Sequence, residues 1–287
     1  MIIELSEDAR LNLASAPYDT EGLTVVLLGN KGSGKSNAMA VMAEEAYHNQ
    51  IPFIYYDPNG DAISLQELGA DVLTIGNPAH PETIRQAKYP LHVALNEAPD
   101  FMRMVLKDGY SLVLDMIEQD DPHPLEVFIA LVNEHYRMAG QIREPVFMFV
   151  DEAHVFAPQT GASDLEKLSR RALGKVTADG RKRGMLLVAA TQNATYLDKR
   201  VVRGANVRIF GKVTYFPDYK VIEEYIGNIS FKQMQLLRSG EVYIVSEKAF
   251  GKTRIKLRAT TDLGKTPAFR KKVWSRPSPN QLELPIR

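Results

Sequence analysis

Val146–Val150 (VFMFV) is apolar at every position, and Leu23–Gly29 (LTVVLLG) and Gly184–Thr191 (GMLLVAAT) are nearly so. A strand with one wetted face alternates apolar and polar side chains, whereas an unbroken apolar run has to be covered on both faces. Such runs therefore demand a sheet sandwiched between helical layers. Between them the chain carries stretches of helical composition: Lys35–Asn49, the segment 98–109, Pro124–Gly140 and Asp164–Asp179. Pro124 and Gly140 mark a start and a stop. Strands alternating with helices predict an α/β fold with a central, mostly parallel sheet flanked by helices.

Further strands are expected at Pro52–Asp57, Asp71–Gly76, Ser111–Met116 and in the segment NVRIFGKV (206–213). GEVYIVSEKAFGKTRIKLRAT reads as a C-terminal β-hairpin turning around Lys248–Lys252. These elements imply a single domain over residues 1–262, with a partly helical insertion at about 77–145. Residues 263–287 are rich in proline and base and are expected to form an extended tail, with a cluster FRKKVWSR (Phe269–Arg276) that holds the one tryptophan.

The 287 residues carry 35 basic and 35 acidic side chains, so net charge neither demands nor excludes a nucleic-acid partner. Cysteine is absent, which removes disulfides and thiolate metal sites and fits a cytoplasmic protein. Neither a signal peptide nor an apolar stretch of about 18 residues is present, and no membrane association is expected.

Between the first buried strand and its helix stands GNKGSGKS, Gly29–Ser36, matching G-x-x-x-x-G-K-[ST]. Glycines let such a loop curl until successive amides point at phosphate oxygens, and the helix N-terminus adds a favourable dipole. Gly29, Asn30, Lys31, Gly32, Ser33, Gly34, Lys35, Ser36 and Asn37 are the candidate nucleotide-binding residues. Lys35 supplies the cation for the β- and γ-phosphates, and Ser36 a magnesium ligand. ATP and Mg2+ are the expected ligands.

A phosphate-loop enzyme needs a further carboxylate, at the end of a neighbouring strand, to hold its metal. Asp151 closes the run VFMFV and fits that role; Glu152, next along, is the candidate general base. The competing reading is that both acids merely cap the following segment. Gln192, after the strand ending in Thr191, is the candidate γ-phosphate sensor, and His154 reads as a residue that supports the site from behind or packs, rather than as a metal ligand. The segment Ser169–Gly184 concentrates Arg170, Arg171, Lys175, Arg181, Lys182 and Arg183. Arg181 is the first candidate for a guanidinium that neutralises charge on the γ-phosphate, with Arg171 second; a solvated basic face or a DNA-phosphate surface is the alternative.

In order along the chain, GNKGSGKS, YDPNGD (Tyr56–Asp61), SLVLDM, FMFVDEAHVFAP, GRKRGMLLVAATQ (Gly180–Gln192) and SGEVYIV (Ser239–Val245) resemble the motifs of the HerA/FtsK superfamily, its HerA branch in particular. That resemblance implies a RecA-like P-loop NTPase domain. It assigns nucleotide and magnesium to Lys35 and Ser36, metal to Asp151, the catalytic base to Glu152, the sensor to Gln192 and a finger acting on a neighbouring subunit to Arg181. It also implies a magnesium-dependent ATPase acting as a homo-oligomeric ring, hexameric in this family, that pumps double-stranded DNA, with a nuclease or other DNA-processing protein as a candidate partner. HerA-branch members usually carry an N-terminal β-barrel. About 20 residues precede the first strand expected here, so the resemblance is to the motor alone. The segment Thr74–Pro90 is a candidate pore loop. A nucleotide-gated switch or assembly factor that binds ATP without pumping DNA is the rival reading, and a small-molecule kinase a weaker one.

Overall fold

The computed structural model describes residues 2–76, 89–90, 95–116 and 123–262. The pore-loop candidate lies largely, and the basic tail wholly, outside the described residues.

A ten-stranded sheet organises the chain. Its strands are β3 (Thr24–Leu28), β4 (Phe53–Asp57), β5 (Val72–Gly76), β6 (Tyr89–Pro90), β7 (Ser111–Asp115), β8 (Val146–Val150), β9 (Met185–Thr191), β10 (Val207–Phe210), β11 (Glu241–Ser246) and β12 (Phe250–Arg254). Their spatial order is β12-β11-β10-β3-β9-β8-β4-β7-β5-β6, and every pairing from β10 to β6 is parallel. The C-terminal hairpin β11–β12 adds the antiparallel edge. Sequence and burial agree strand by strand. β3, β4, β7, β8 and β9 are buried at every residue, whereas β11 alternates and β12 is mostly exposed.

Helices cover both faces: α1 (Lys35–His48), α2 (Ala98–Leu106), α3 (Pro124–Ile142), α4 (Asp164–Asp179) and α5 (Phe216–Ile226). Two hydrophobic clusters result. One joins α1 to the sheet, with Ile3 and Leu5 of an N-terminal hairpin; the other joins α2–α5 to the opposite face. That hairpin, β1 (Ile2–Ser6) and β2 (Ala9–Asn12), was not expected from sequence and packs on α1. Of the segment read as an insertion, β7 lies between β4 and β5 within the sheet, and α3 belongs to the main core.

Two helix ends show how local sequence decides geometry. α4 begins with a reciprocal cap: the Ser163 hydroxyl accepts from the Glu166 amide at 3.1 Å, and Glu166 accepts from the Ser163 amide at 2.9 Å. α3 does not stop at Gly140 as expected but runs on to Ile142, ending where Arg143 takes a φ of 58°. Gly140 serves close approach instead. A Cβ there would stand 1.9 Å from the Arg183 guanidinium, which lies 4.0 Å over the Tyr136 ring and donates to the Tyr136 carbonyl at 3.2 Å. Arg183 thereby pins the start of β9 to α3.

Candidate functional site

Because the strands from β6 to β10 are parallel, all their C-terminal ends open on one edge. Gly29, Asp57, Asp115, Asp151 and Thr191 all fall there, so the loops after β3, β8 and β9 meet at one place. β9 lies between β3 and β8, which sets the phosphate loop and Asp151 about 10 Å apart across two strand spacings. Gln192 hangs over the gap between them.

The loop after β3 is a cradle. Gly34 has a φ of 99°, which side-chain-bearing residues avoid, and a Cβ on it would meet the Gly240 nitrogen at 3.0 Å. Gly240 in turn donates to the Ser33 carbonyl at 3.0 Å, so the turn before β11 clasps the loop. Lys35 Nζ donates to the carbonyls of Gly29 at 2.8 Å and Asn30 at 3.1 Å, spanning the cradle. Burial lowers the pKa of Lys35, while the charges of Glu152 and Asp151 oppose that shift. The first amides of α1, from Lys35 to Asn37, have no carbonyl one turn earlier within the helix, as at any helix start. An anion of several oxygens fits this donor set, and a cation–carboxylate pair facing it completes the requirement for a triphosphate with its metal.

Not every candidate side chain faces the cradle. Asn30 is held from the side, bonded to Thr214 through its Nδ2 and accepting from the Thr214 amide at 3.2 Å. Ser33 turns its hydroxyl under the loop toward Gly211, where it is buried without a hydrogen-bond partner. Asn37 spends its amide on the segment after β12, donating to the Lys256 carbonyl at 2.8 Å and accepting from the Arg258 amide at 3.1 Å. Asn37 can therefore reach a ligand through its backbone N–H only, and the Ser33 amide donates within the loop, to the Asn30 carbonyl at 3.1 Å.

On β8, Asp151 is buried and its Oδ1 accepts from the Glu152 amide at 2.8 Å. Glu152, at the start of the helical turn Ala153–Phe156, makes no side-chain cap to it. Asp57 sits beside Asp151 on β4, in register with Asp115 on β7. Burial drives Asp57 up to about 8, with the Asp151 charge adding to it; burial likewise raises Asp151, to about 6. The amides of Asn59 and Ala62, donating to the two Asp57 oxygens at 3.0 and 2.6 Å, oppose the rise at Asp57.

Glu152 has a φ of 43°, a left-handed backbone costing about 1–2 kcal/mol in a residue with a side chain. Strain of this kind persists where surrounding structure holds a functional group in place. Its Oε2 accepts from the Gln192 amide at 3.3 Å and stands 3.3 Å from His154 Nδ1. Burial pushes its pKa up, but the hydrogen bonds from His154 and Gln192 and the Lys35 charge outweigh that, leaving Glu152 below its ordinary value and ionised. His154 supports the site from behind, one of the two roles its position suggested. Its Nδ1 lies 2.9 Å from Thr191 Oγ1 and its Nε2 3.3 Å from Asn193 Nδ2, so the imidazole joins the base to the end of β9.

Arg181 stands elsewhere. It precedes β9, whose seven residues put about 20 Å between it and Thr191, and it is exposed beside Gly22 at the opposite edge of the sheet. The structure does not bring it to its own chain's site. Arg171 is exposed on α4, and Arg170 donates to the Gln159 carbonyl at 2.9 Å.

No protein-family model matches the chain. Over 143 residues, 49% of its length, it is 29% identical to the probable DNA double-strand break repair helicase HerA of Methanocaldococcus jannaschii, and the match spans 26% of that protein. Among solved structures, the genome packaging NTPase B204 from Sulfolobus turreted icosahedral virus 2, in complex with AMP, superimposes with a TM-score of 0.53 at 16% identity, over 82% of this chain and 96% of that one. The bacterial conjugative coupling protein TrwBdeltaN70 does so with a TM-score of 0.61 at 11% identity, over 86% and 88%. The chain has the fold these two proteins share. Within it, Lys35, Asp151, Glu152 and Gln192 occupy one edge, as their motifs imply. What sequence reasoning did not supply is Gly240, the Asn30–Thr214 clasp and the strap beyond β12. Ser239–Glu241 was visible as a motif, but nothing local signalled its contact with Ser33.

Proposed function

We propose that this chain is a magnesium-dependent ATP hydrolase whose cycle moves double-stranded DNA through a homo-oligomeric, hexameric ring. The observation that carries the proposal is the meeting of the phosphate loop, the Asp151–Glu152 pair and the Gln192 loop at one sheet edge. Relatives described as a DNA-repair helicase, a genome-packaging NTPase and a conjugative coupling protein support DNA as the partner.

In this reading the Lys35 ammonium gives up the carbonyls of Gly29 and Asn30 for phosphate oxygens, and the loop amides hold the rest. Ser36 and Asp151 are the ligands for magnesium, which neutralises charge on the β- and γ-phosphates when bound. Glu152, kept ionised by His154 and the Gln192 amide, orients a water and accepts its proton. Through the same amide contact Gln192 links the end of β9 to the base, so a change at the γ-phosphate is felt by both. Arg181, remote from its own site, acts if at all on a neighbouring subunit's phosphate.

The test is ATP turnover with and without duplex DNA, run beside Glu152→Gln. Stimulation by DNA, with turnover in the variant reduced about 100-fold or more and ATP still bound, is the expected result. Turnover indifferent to DNA favours the nucleotide-gated switch, and undiminished turnover in the variant removes the base assignment.

A further inference from the structure

Residues 255–262, the described residues beyond β12, stay on the domain. They form a strap along α1, and each of those near the phosphate loop is anchored. The Lys256 amide donates to the Leu5 carbonyl at 2.8 Å, and its Nζ pairs with Glu45 at 2.6 Å. Arg258 reaches the Ser64 hydroxyl at 2.8 Å. The buried Glu44 carboxylate accepts from the Ala259 amide at 3.0 Å, the Thr260 amide at 2.9 Å and the Thr260 hydroxyl at 2.7 Å. Leu257 is the exception. Its neighbours on either side are bonded to the same Asn37 side chain, yet its own side chain is 87% exposed.

Leu257 therefore stands in solvent beside the first turn of the phosphate-loop helix, held there by its backbone neighbours, and its apolar surface is available to a ligand. The position limits the occupant. In the nucleotide reading above, the γ end of the triphosphate faces Asp151 and Glu152, which leaves to the nucleoside the side where Asn37 is bonded to the strap. Arg254 stands at the same mouth, its Cγ 4.0 Å from where a Cβ of Gly240 would lie. A flat, apolar group with a polar rim fits a leucine shelf beside a guanidinium.

We infer that Leu257 is the shelf on which the nucleobase of the bound nucleotide packs, so that the strap after the C-terminal hairpin forms part of the nucleotide site. This rests on the nucleotide reading of the phosphate loop. It assigns base contact to a residue more than 200 positions away from the loop in sequence.

The test compares ATP with inorganic tripolyphosphate, which carries the phosphates without the base, by titration calorimetry on the full chain. Leu257→Ala is expected to weaken ATP about tenfold (about 1.4 kcal/mol) and to leave tripolyphosphate unchanged, while Leu257→Met keeps ATP affinity near wild type. Because the side chain is exposed, neither variant disturbs packing. An alanine variant that binds ATP as wild type does, or that loses both ligands equally, overturns the inference while the phosphate-loop reading stands. A wild-type chain that binds neither ligand refutes the nucleotide reading itself and the shelf with it.

Discussion

Replacing His135 by leucine should make the protein more stable, and more so in acid. His135 lies on α3, fully buried, and neither ring nitrogen has a hydrogen-bond partner. Burial alone lowers its pKa from 6.5 to about 4. The sign follows from which state holds the proton. Below pH 6.5 the unfolded chain protonates this imidazole and the folded one does not, so stability falls as pH drops, until the folded group also titrates near 4. Between pH 7 and pH 5 the loss from this residue is about 2 kcal/mol. Leucine of similar volume carries no such term and also removes the two unpartnered nitrogens, worth about 1–3 kcal/mol at any pH. Urea unfolding of both proteins at pH 7 and pH 5 measures the difference, since every other titrating group contributes equally to the two. A gap between them that does not widen on acidification would falsify the argument, because it would mean that the imidazole is hydrated or partnered in solution.

Two further outcomes are expected. Glu44→Ala removes the acceptor shared by Ala259 and Thr260; it should cost about 2 kcal/mol and speed amide exchange at both residues, with Glu44→Gln intermediate. Unchanged exchange at 259 and 260 would show that the strap is held by other contacts. Mixing Arg181→Ala with Lys35→Ala chains should restore partial ATP turnover if Arg181 serves a neighbour, since some interfaces then pair an intact finger with an intact loop; no recovery at any ratio assigns Arg181 to the surface.

The parts of this structure legible in the sequence are those whose causes are local. β3, β8 and β9 could be placed because a strand covered on both faces has no polar positions to confuse it. The cradle could be placed because glycine, lysine and serine at fixed spacing act on atoms within their own turn. Asp151 and Glu152 followed from polar residues ending a buried strand. Hidden features have distant causes. Asn37 looks like one more phosphate-loop residue until Lys256, 219 positions on, takes up its amide. Glu44 reads as a solvated acid on an amphipathic helix, yet its partners lie 215 and 216 positions away. Gly140 carries the signature of a helix stop, and only the Arg183 guanidinium explains why the helix passes through it. IIELS and ARLN, short and half polar, give too weak an alternation to announce the N-terminal hairpin.

The exposed strand β12 bears on how copies of this chain can meet. A bare sheet margin invites a second chain to add its own strand, yet this one presents Gly251, Lys252 and Arg254, a flexible residue and two cations that discourage such pairing. A second chain is therefore not expected to extend the sheet by pairing along β12.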